Sequence, residues 1–311
     1  MPAALTAKRL LESGLYTRDK RRLVSRFYPP FNIVPVRTER QTRQATPRSR
    51  ARPGLPRRIL HIDQRPLKMV TGEPTDLRLE DEPHFGRIVE GHDLGMIYRG
   101  LRQHLLLPRQ RVWVIDEHHL LYYLLWEARS LGLFRSPPLL VNFDAHHDAA
   151  ALALDPPRLA DLEAQADFVM RHVRIGNHVT ALLRCGLARR VLWVTHRKEL
   201  AYRRRDMDQQ LAVAPGVFDV AHLEDLEDGR LATEGEPLVV SLDWDFLTAR
   251  YNGGLMLETV ARDDVEDFRR QWRRLGLRLE RMACLVIATS PGYAEEESTL
   301  AGVQQFLAEL A

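Results

Sequence analysis

The sequence has little cysteine. Two residues of 311, Cys185 and Cys284, cannot make a disulfide framework, which fits a reducing compartment. No apolar run approaches the ~18 residues of a membrane span. The N-terminus lacks the apolar stretch of a secretory signal, so the expected setting is cytoplasmic and away from membranes. Excess charge of one sign is also small, with 45 Lys plus Arg against 42 Asp plus Glu, a net charge of +3. With 45% hydrophobic and 28% charged residues, intrinsic disorder of the whole chain and collagen-like or mucin-like classes are excluded. The length suits one large α/β domain or two small ones.

The small net charge hides two unlike bodies. Residues 1–58 hold 15 Lys/Arg and 3 Asp/Glu, leaving 30 basic against 39 acidic residues in the remainder, a net −9. A sequence pI near 9.0 invites a nucleic-acid reading, but the basic excess sits in a segment broken by Pro29, Pro30, Pro35, Pro47, Pro53 and Pro56. Residues 1–58 therefore read as a basic, flexible arm, and 59–311 as the folded body. The arm admits three readings: a solvated extension, a docking arm for an acidic partner, or a transit peptide. Glu12 and Asp19 count against the last.

From about residue 59 short apolar runs alternate with helical stretches. RVWVID (111–116), LLVNFD (139–144), VLWVTH (191–196), PLVVSLD (237–243) and ACLVIAT (283–289) read as buried strands. Helical segments are expected at HHLLYYLLWEARSLGL and near 158–172, 178–188, 198–211, 257–275 and 294–310. This alternation predicts a three-layer α/β/α fold with a mostly parallel central sheet.

Sites in such sheets form outside the carboxyl ends of the strands. Here those ends carry Asp116, Glu117, His118 and His119, then Asp144, His146, His147 and Asp148, then Asp243 and Asp245. So many acids in one place raise each other's pKa or need a cation, which a divalent metal would supply. On an extended segment Asp144, His146 and Asp148 face one side together, as do Asp243 and Asp245. Mixed carboxylate and imidazole ligands suit Mn²⁺, Zn²⁺ or Fe²⁺, and a carboxylate-rich set leans to Mn²⁺. Five or six ligands exceed the needs of one ion and fit a bridged pair. Asp116 reads first as a helix N-cap. His119 and His147 would point away from the ligands on an extended chain, where structural or supporting roles weigh equally with catalytic ones. Trp126 and Trp193 read as core, and both cysteines as buried small hydrophobes.

These motifs carry a family likeness. DAHHD resembles the DAHxD metal motif of the ureohydrolases, the arginase and agmatinase family. SLDWD resembles their SxDxD motif, and DEHH their earlier GGDH element, in the same order over roughly residues 110–290. EHHLLYYLLWEA, NFDAHHD and the late ATSP look more closely like the UPF0489 family, some bacterial members of which are peptide arginases. The resemblance implies an arginase/deacetylase-like fold and two Mn²⁺ per chain. His118, Asp144, Asp148 and Asp243 would hold one ion, and Asp144, His146, Asp243 and Asp245 the other. It further implies hydrolysis of an arginine side chain of a ribosomally made precursor peptide to ornithine and urea. His178, in GNHVT, is the candidate for moving the proton to the leaving amine; a helix-start histidine capped by Asn177 is the equal alternative.

Two departures from the family pattern matter. The Asp-Pro that usually follows SxDxD is replaced by Thr248 and Ala249, and Ala288 stands near the place of the guanidinium-binding glutamate. Glu295, Glu296 or Glu297 could supply that acid, with Glu296 the candidate; the competing reading is first-turn acids of a helix. The segment after DAHHD, AAALALDPPRLADLEAQ, has no Asn, Ser or Thr. A site that grips free α-amino and α-carboxylate groups should keep polar partners for them, so an arginine within a peptide is expected. Two other classes compete: a one-metal amide hydrolase or deacetylase on a related fold, and a non-catalytic peptide or nucleic-acid binder using the arm.

Overall fold

The computed structural model describes residues 69–81, 84–90, 92–130, 132–152, 154–157, 165, 168–169, 172–195, 216–226, 231, 236–248, 262–291 and 296–310. The basic segment 1–58, the turn at 251–254, and nearly all of the helical stretches near 158–172 and 198–211 lie outside them.

Ten strands are described: β1 (Met69–Thr71), β2 (His84–Glu90), β3 (His92–Tyr98), β4 (His104–Leu107), β5 (Val112–Ile115), β6 (Leu139–Phe143), β7 (Arg190–Thr195), β8 (Phe218–His222), β9 (Leu238–Asp243) and β10 (Met282–Ala288). Eight form one sheet in the order β1-β4-β5-β10-β9-β6-β7-β8, and β2 and β3 make a separate antiparallel pair. From β5 to β8 every neighbour is parallel; only β4 against β5 is antiparallel. The five strands expected from sequence are β5, β6, β7, β9 and β10, the buried centre of the sheet. The strands that were not expected are three- to five-residue strands at its edges and the detached hairpin. Runs such as Met69–Thr71 and Phe218–His222 are too short or too mixed to show a period.

The helices are α1 (Leu121–Ser130), α2 (His178–Arg184), α3 (Asp245–Thr248), α4 (Arg262–Arg274) and α5 (Glu296–Leu310). Strand side chains alternate between two apolar cores. Trp113 and Ile115, with Leu140 and Trp193, pack against α1 and α2 on one face. Val112 and Val114, with Val141, Phe143 and Val240, pack against α3, α4 and α5 on the other. The result is three layers, and both faces of the central strands are dry, which is why their sequences are continuously apolar rather than alternating. Among the described residues no helix is long and apolar enough to cross a membrane.

The connection leaving β6 leads to β7, and the connection leaving β9 leads the opposite way to β10. A crevice therefore opens between the carboxyl ends of β6 and β9, the switch point where α/β sheets place their ligands.

Candidate metal centre

Three strand ends meet at that crevice. β5 runs into a 3-10 turn, His118–Leu120, which brings His118 across. Its Nδ1 lies 3.0 Å from Asp144 Oδ2, 3.1 Å from Asp243 Oδ2 and 3.6 Å from Asp148 Oδ2. On the other side of Asp144, His146 Nδ1 is 3.6 Å from Asp144 Oδ1 and 2.9 Å from Asp245 Oδ2. Candidate ligand atoms thus converge in groups that share Asp144: His118, Asp144 and Asp243; Asp144, His146 and Asp245. A third group joins His118, Asp148 and His178.

Local turns, rather than an extended segment, bring these side chains together, and this corrects the expectation from alternation. Asp144 Oδ1 accepts the His146 N–H at 2.6 Å, and Asp243 Oδ1 accepts the Asp245 N–H at 3.1 Å. Each D-x-(H/D) is an Asx-type turn, in which a short carboxylate bonds the backbone two residues on. Asp148 adopts φ +48, a left-handed conformation that Asp tolerates better than most residues. Asp144 itself is held by β7. Its N–H donates to Val194 O, and its carbonyl accepts the Trp193 indole N–H at 2.8 Å. Trp193 is core, as expected, but it also anchors a site residue.

Asp144, Asp148, Asp243 and Asp245 are all buried, with His118 and His178; His146 is the most exposed, at 22% of its side chain. This placement perturbs Asp144, Asp148, Asp245, His118 and His178. Burial and the charge of Asp144 push Asp148 up to about 8, and burial and the charge of Asp243 push Asp245 up to about 7. Burial would raise Asp144 as well, but hydrogen bonds from His118 and His146 hold it far below the usual carboxylate range. Burial would lower His118, yet the charge of Asp243 and three carboxylate contacts raise it well above an ordinary histidine. His178 is lowered by burial and by the nearby His118.

The donor set fits a divalent cation. His118 Nε2 meets Ser241 Oγ at 2.7 Å, while Nδ1, surrounded by three carboxylates, makes no hydrogen bond. If Ser241 accepts a proton from Nε2, a lone pair on Nδ1 faces the carboxylates. Without a cation, a proton on Nδ1 relieves that repulsion, which is why His118 is raised; with one, the lone pair can ligate, the other ring nitrogen being fixed by a polar neighbour. Asp245 Oδ1 is likewise buried without a partner. Ser241 is a site residue the sequence reading did not single out, although the first letter of SLDWD pointed at it.

Other expectations divide. Asp116 does not cap the helix. Its carboxylate accepts Leu101 N–H (2.9 Å) and Thr289 Oγ1–H (3.2 Å) and lies 3.3 Å from His104 Nε2, so it clamps β5 to its neighbours instead. His147 turns away from the cluster, as expected, its Nδ1 accepting the Ala149 N–H. His119 Nδ1 lies 3.1 Å from Glu117 Oε2. Glu296 is the first residue of α5, in its first acidic turn with Glu297, which pairs with Arg99; it belongs to none of the three converging groups. Glu295 is outside the described residues. His178 does begin a helix, but Asn177 does not cap it with its side chain. His178 is fully buried. Both cysteines are free, and burial lifts the Cys185 and Cys284 thiols to about 11 and about 12, so neither is a ready nucleophile.

Fold and site together define a three-layer α/β protein with a buried carboxylate–histidine cluster at its switch point. No family model and no curated protein matches the chain. Among solved structures it is similar to a hypothetical agmatinase from Burkholderia thailandensis, with a TM-score of 0.41 and 16% identity, over 67% of this chain and 57% of that one. It is also similar to a T. brucei arginase-like protein triple mutant bound with Mn²⁺ (TM-score 0.39, 14% identity, 64% and 59%) and to the proclavaminate amidino hydrolase of Streptomyces clavuligerus (0.38, 16%, 64% and 61%). The chain spans less than two thirds of the length of each.

Proposed function

We propose that this protein is a dinuclear-metal hydrolase that cleaves the guanidinium of peptidyl arginine, giving ornithine and urea, during maturation of a ribosomally made peptide. The observation that carries the metal reading is Asp144. Its two oxygens face two histidines, Oδ2 toward His118 and Oδ1 toward His146, so one carboxylate belongs to two ligand sets. His118, Asp144, Asp148 and Asp243 would hold one Mn²⁺, and Asp144, His146, Asp243 and Asp245 the other. Such a pair supplies Lewis-acid polarisation and lowers the pKa of water toward neutrality.

The residues themselves set the rest. Four carboxylates match the charge of two divalent ions, so a cationic guanidinium needs a further acidic partner. The motif likeness of DEHH, DAHHD and SLDWD to the ureohydrolases supports guanidinium as the group attacked. The apolar segment after DAHHD supports an arginine whose backbone is already in peptide bonds. Glu296 remains the proposed guanidinium partner from the sequence. Glu117 stands beside it as a second candidate: it is next to His118, and its charge is felt by the half-buried Arg174.

The test is mass spectrometry of a candidate arginine-containing peptide co-expressed with the protein. Urea-forming hydrolysis removes about 42 Da per arginine, the outcome expected of metal-assisted guanidinium cleavage. Unchanged mass from metal-loaded protein sinks the proposal. Urea release from free arginine as fast as from an arginyl peptide removes its peptide part. One ion per chain, instead of two, favours the amide-hydrolase alternative.

A further inference from the structure

The expected role for His178 is carrying a proton to the leaving amine. The contacts around it describe a different task. Its Nδ1 lies 3.0 Å from the Ile175 carbonyl oxygen. A carbonyl can only accept, so Nδ1 carries the hydrogen, and Nε2 is the bare nitrogen. That Nε2 is buried and has no hydrogen-bond partner, and the residue as a whole is 0% exposed.

The same ring touches two proposed metal ligands. Nδ1 is 3.4 Å from Asp148 Oδ2. The ring packs edge-on against His118, with centroids 4.6 Å apart. The backbone beside it reinforces the first contact: Val179 N–H donates to the Asp148 carbonyl at 3.0 Å, and Ala150 N–H donates to Gly176 O at 3.0 Å. Asp148 is the ligand held at φ +48, a conformation that persists only where its surroundings enforce it.

The turn that presents Ile175 is braced in turn. Asn177 Oδ1 accepts the Arg174 N–H at 2.7 Å, and Asn177 Nδ2 donates to His172 O at 3.0 Å. Asn177 is therefore spent on the loop. This explains why the residue in the cap position makes no cap bond. The chain of contacts runs from Asn177 to the Ile175 carbonyl, to the His178 ring, and from there to Asp148 and His118.

We infer that His178 is a positioning residue of the metal centre: the Ile175 carbonyl sets its ring through Nδ1, and the ring packs edge-on against His118 and beside Asp148. The inference rests on the metal-centre reading above. It assigns GNHVT to assembly of the site.

The experiment uses the full-length protein, stripped of metal and titrated with Mn²⁺, in wild-type, His178→Asn and His178→Gln forms. Asparagine places an amide N–H close to where Nδ1 sits, whereas glutamine places one near Nε2. Positioning through Nδ1 predicts that His178→Asn binds Mn²⁺ within a few-fold of wild type. It predicts that His178→Gln loses about 10- to 100-fold in affinity for one ion, the usual effect of removing a group that orients a ligand. Urea release should follow metal occupancy, and added imidazole should restore none of it. Wild-type affinity in both variants, with urea release lost and recovered by imidazole, overturns the inference in favour of proton transfer. Equal weakening in both variants also overturns it, because Nδ1 is then not the contact that matters. If the wild-type protein itself binds no Mn²⁺, the metal reading fails, and that result is distinct from either.

Discussion

At the scale of single residues, several side chains of the cluster have a partner that sets their direction. Ser241 is the clearest case. It lies on β9 with its hydroxyl 2.7 Å from His118 Nε2, and both residues are buried. Ser241→Ala removes the hydroxyl that meets the ring's far nitrogen and leaves the shape nearly unchanged. The expected result is a loss of about 10- to 100-fold in Mn²⁺ affinity with little change in fold, read by metal titration beside circular dichroism. Asp116 is a contrasting case, since its contacts run to backbone and hydroxyl groups of β-strand ends and not into the cluster. Asp116→Ala leaves the buried Leu101 N–H without its acceptor, which costs about 1–3 kcal/mol. A lowered melting temperature with metal affinity retained is the expected outcome; metal loss at unchanged stability would contradict it.

At the scale of elements, the position of β9's carboxyl end depends on α5. Trp244 stands between Asp243 and Asp245, and it packs against Phe306 of α5. A Cβ on Gly302 would lie 2.7 Å from Trp244 Cζ2. Glycine is there because the indole needs the room. On an unpacked helix face Gly→Ala stabilises by about 1 kcal/mol. Here overpacking should reverse the sign, with Gly302→Ala costing about 1–3 kcal/mol and disturbing the second ligand set through Trp244. A thermal melt decides the sign, and Mn²⁺ titration shows whether the strain reaches Asp245. The 3-10 turn after β5 and the Asx turns after β6 and β9 play the matching part on the other strands. Each converts a strand end into a bend that aims a side chain back at the crevice.

At the scale of the whole molecule, burying this many titratable groups couples stability to pH. Asp148 and Asp245, with values of about 8 and about 7 in the folded chain, lie far above the ordinary carboxylate range near 4. Between those limits the folded state binds more protons than the unfolded one, so stability falls as pH rises. His118, also raised, contributes stability that is lost as pH climbs through its folded value, which has the same sign. His178, lowered, has the opposite sign, but its effect is complete by about pH 6.5, the unfolded histidine value. The metal-free protein should therefore lose stability from about pH 6.5 to about 8. Mn²⁺ should reverse the trend and release protons on binding, because ligation needs the ionised carboxylates. Thermal melts across that range, with and without Mn²⁺, and the buffer dependence of the binding enthalpy measure both effects. A metal-free melting temperature that rises over the same interval contradicts this account.

Much of this organisation was legible in the sequence. The five central strands are continuous apolar runs, because strands covered on both faces have no wet side to mark. The ligand candidates stand at their carboxyl ends in short fixed spacings, so Asp144, His146, Asp148, Asp243 and Asp245 could be named together before any coordinates. Chain order alone could not say that β9 inserts beside β6 while β5 lies across β10. That order is what brings His118 to Asp144 and Asp243, from residues separated by more than a hundred positions at its extreme. Nor could spacing show that D-x-H and D-x-D bend through their own carboxylates, because an extended segment and an Asx turn read alike. The role that changed for Asp116 hinges on Thr289, remote in sequence, while Asn177 bonds the loop just before it instead of capping the helix. A side chain's chemistry belongs to its residue type, and the sequence by itself determined that. Whether the side chain meets water, a carbonyl or another ligand is set by packing, and only the tertiary structure decided it.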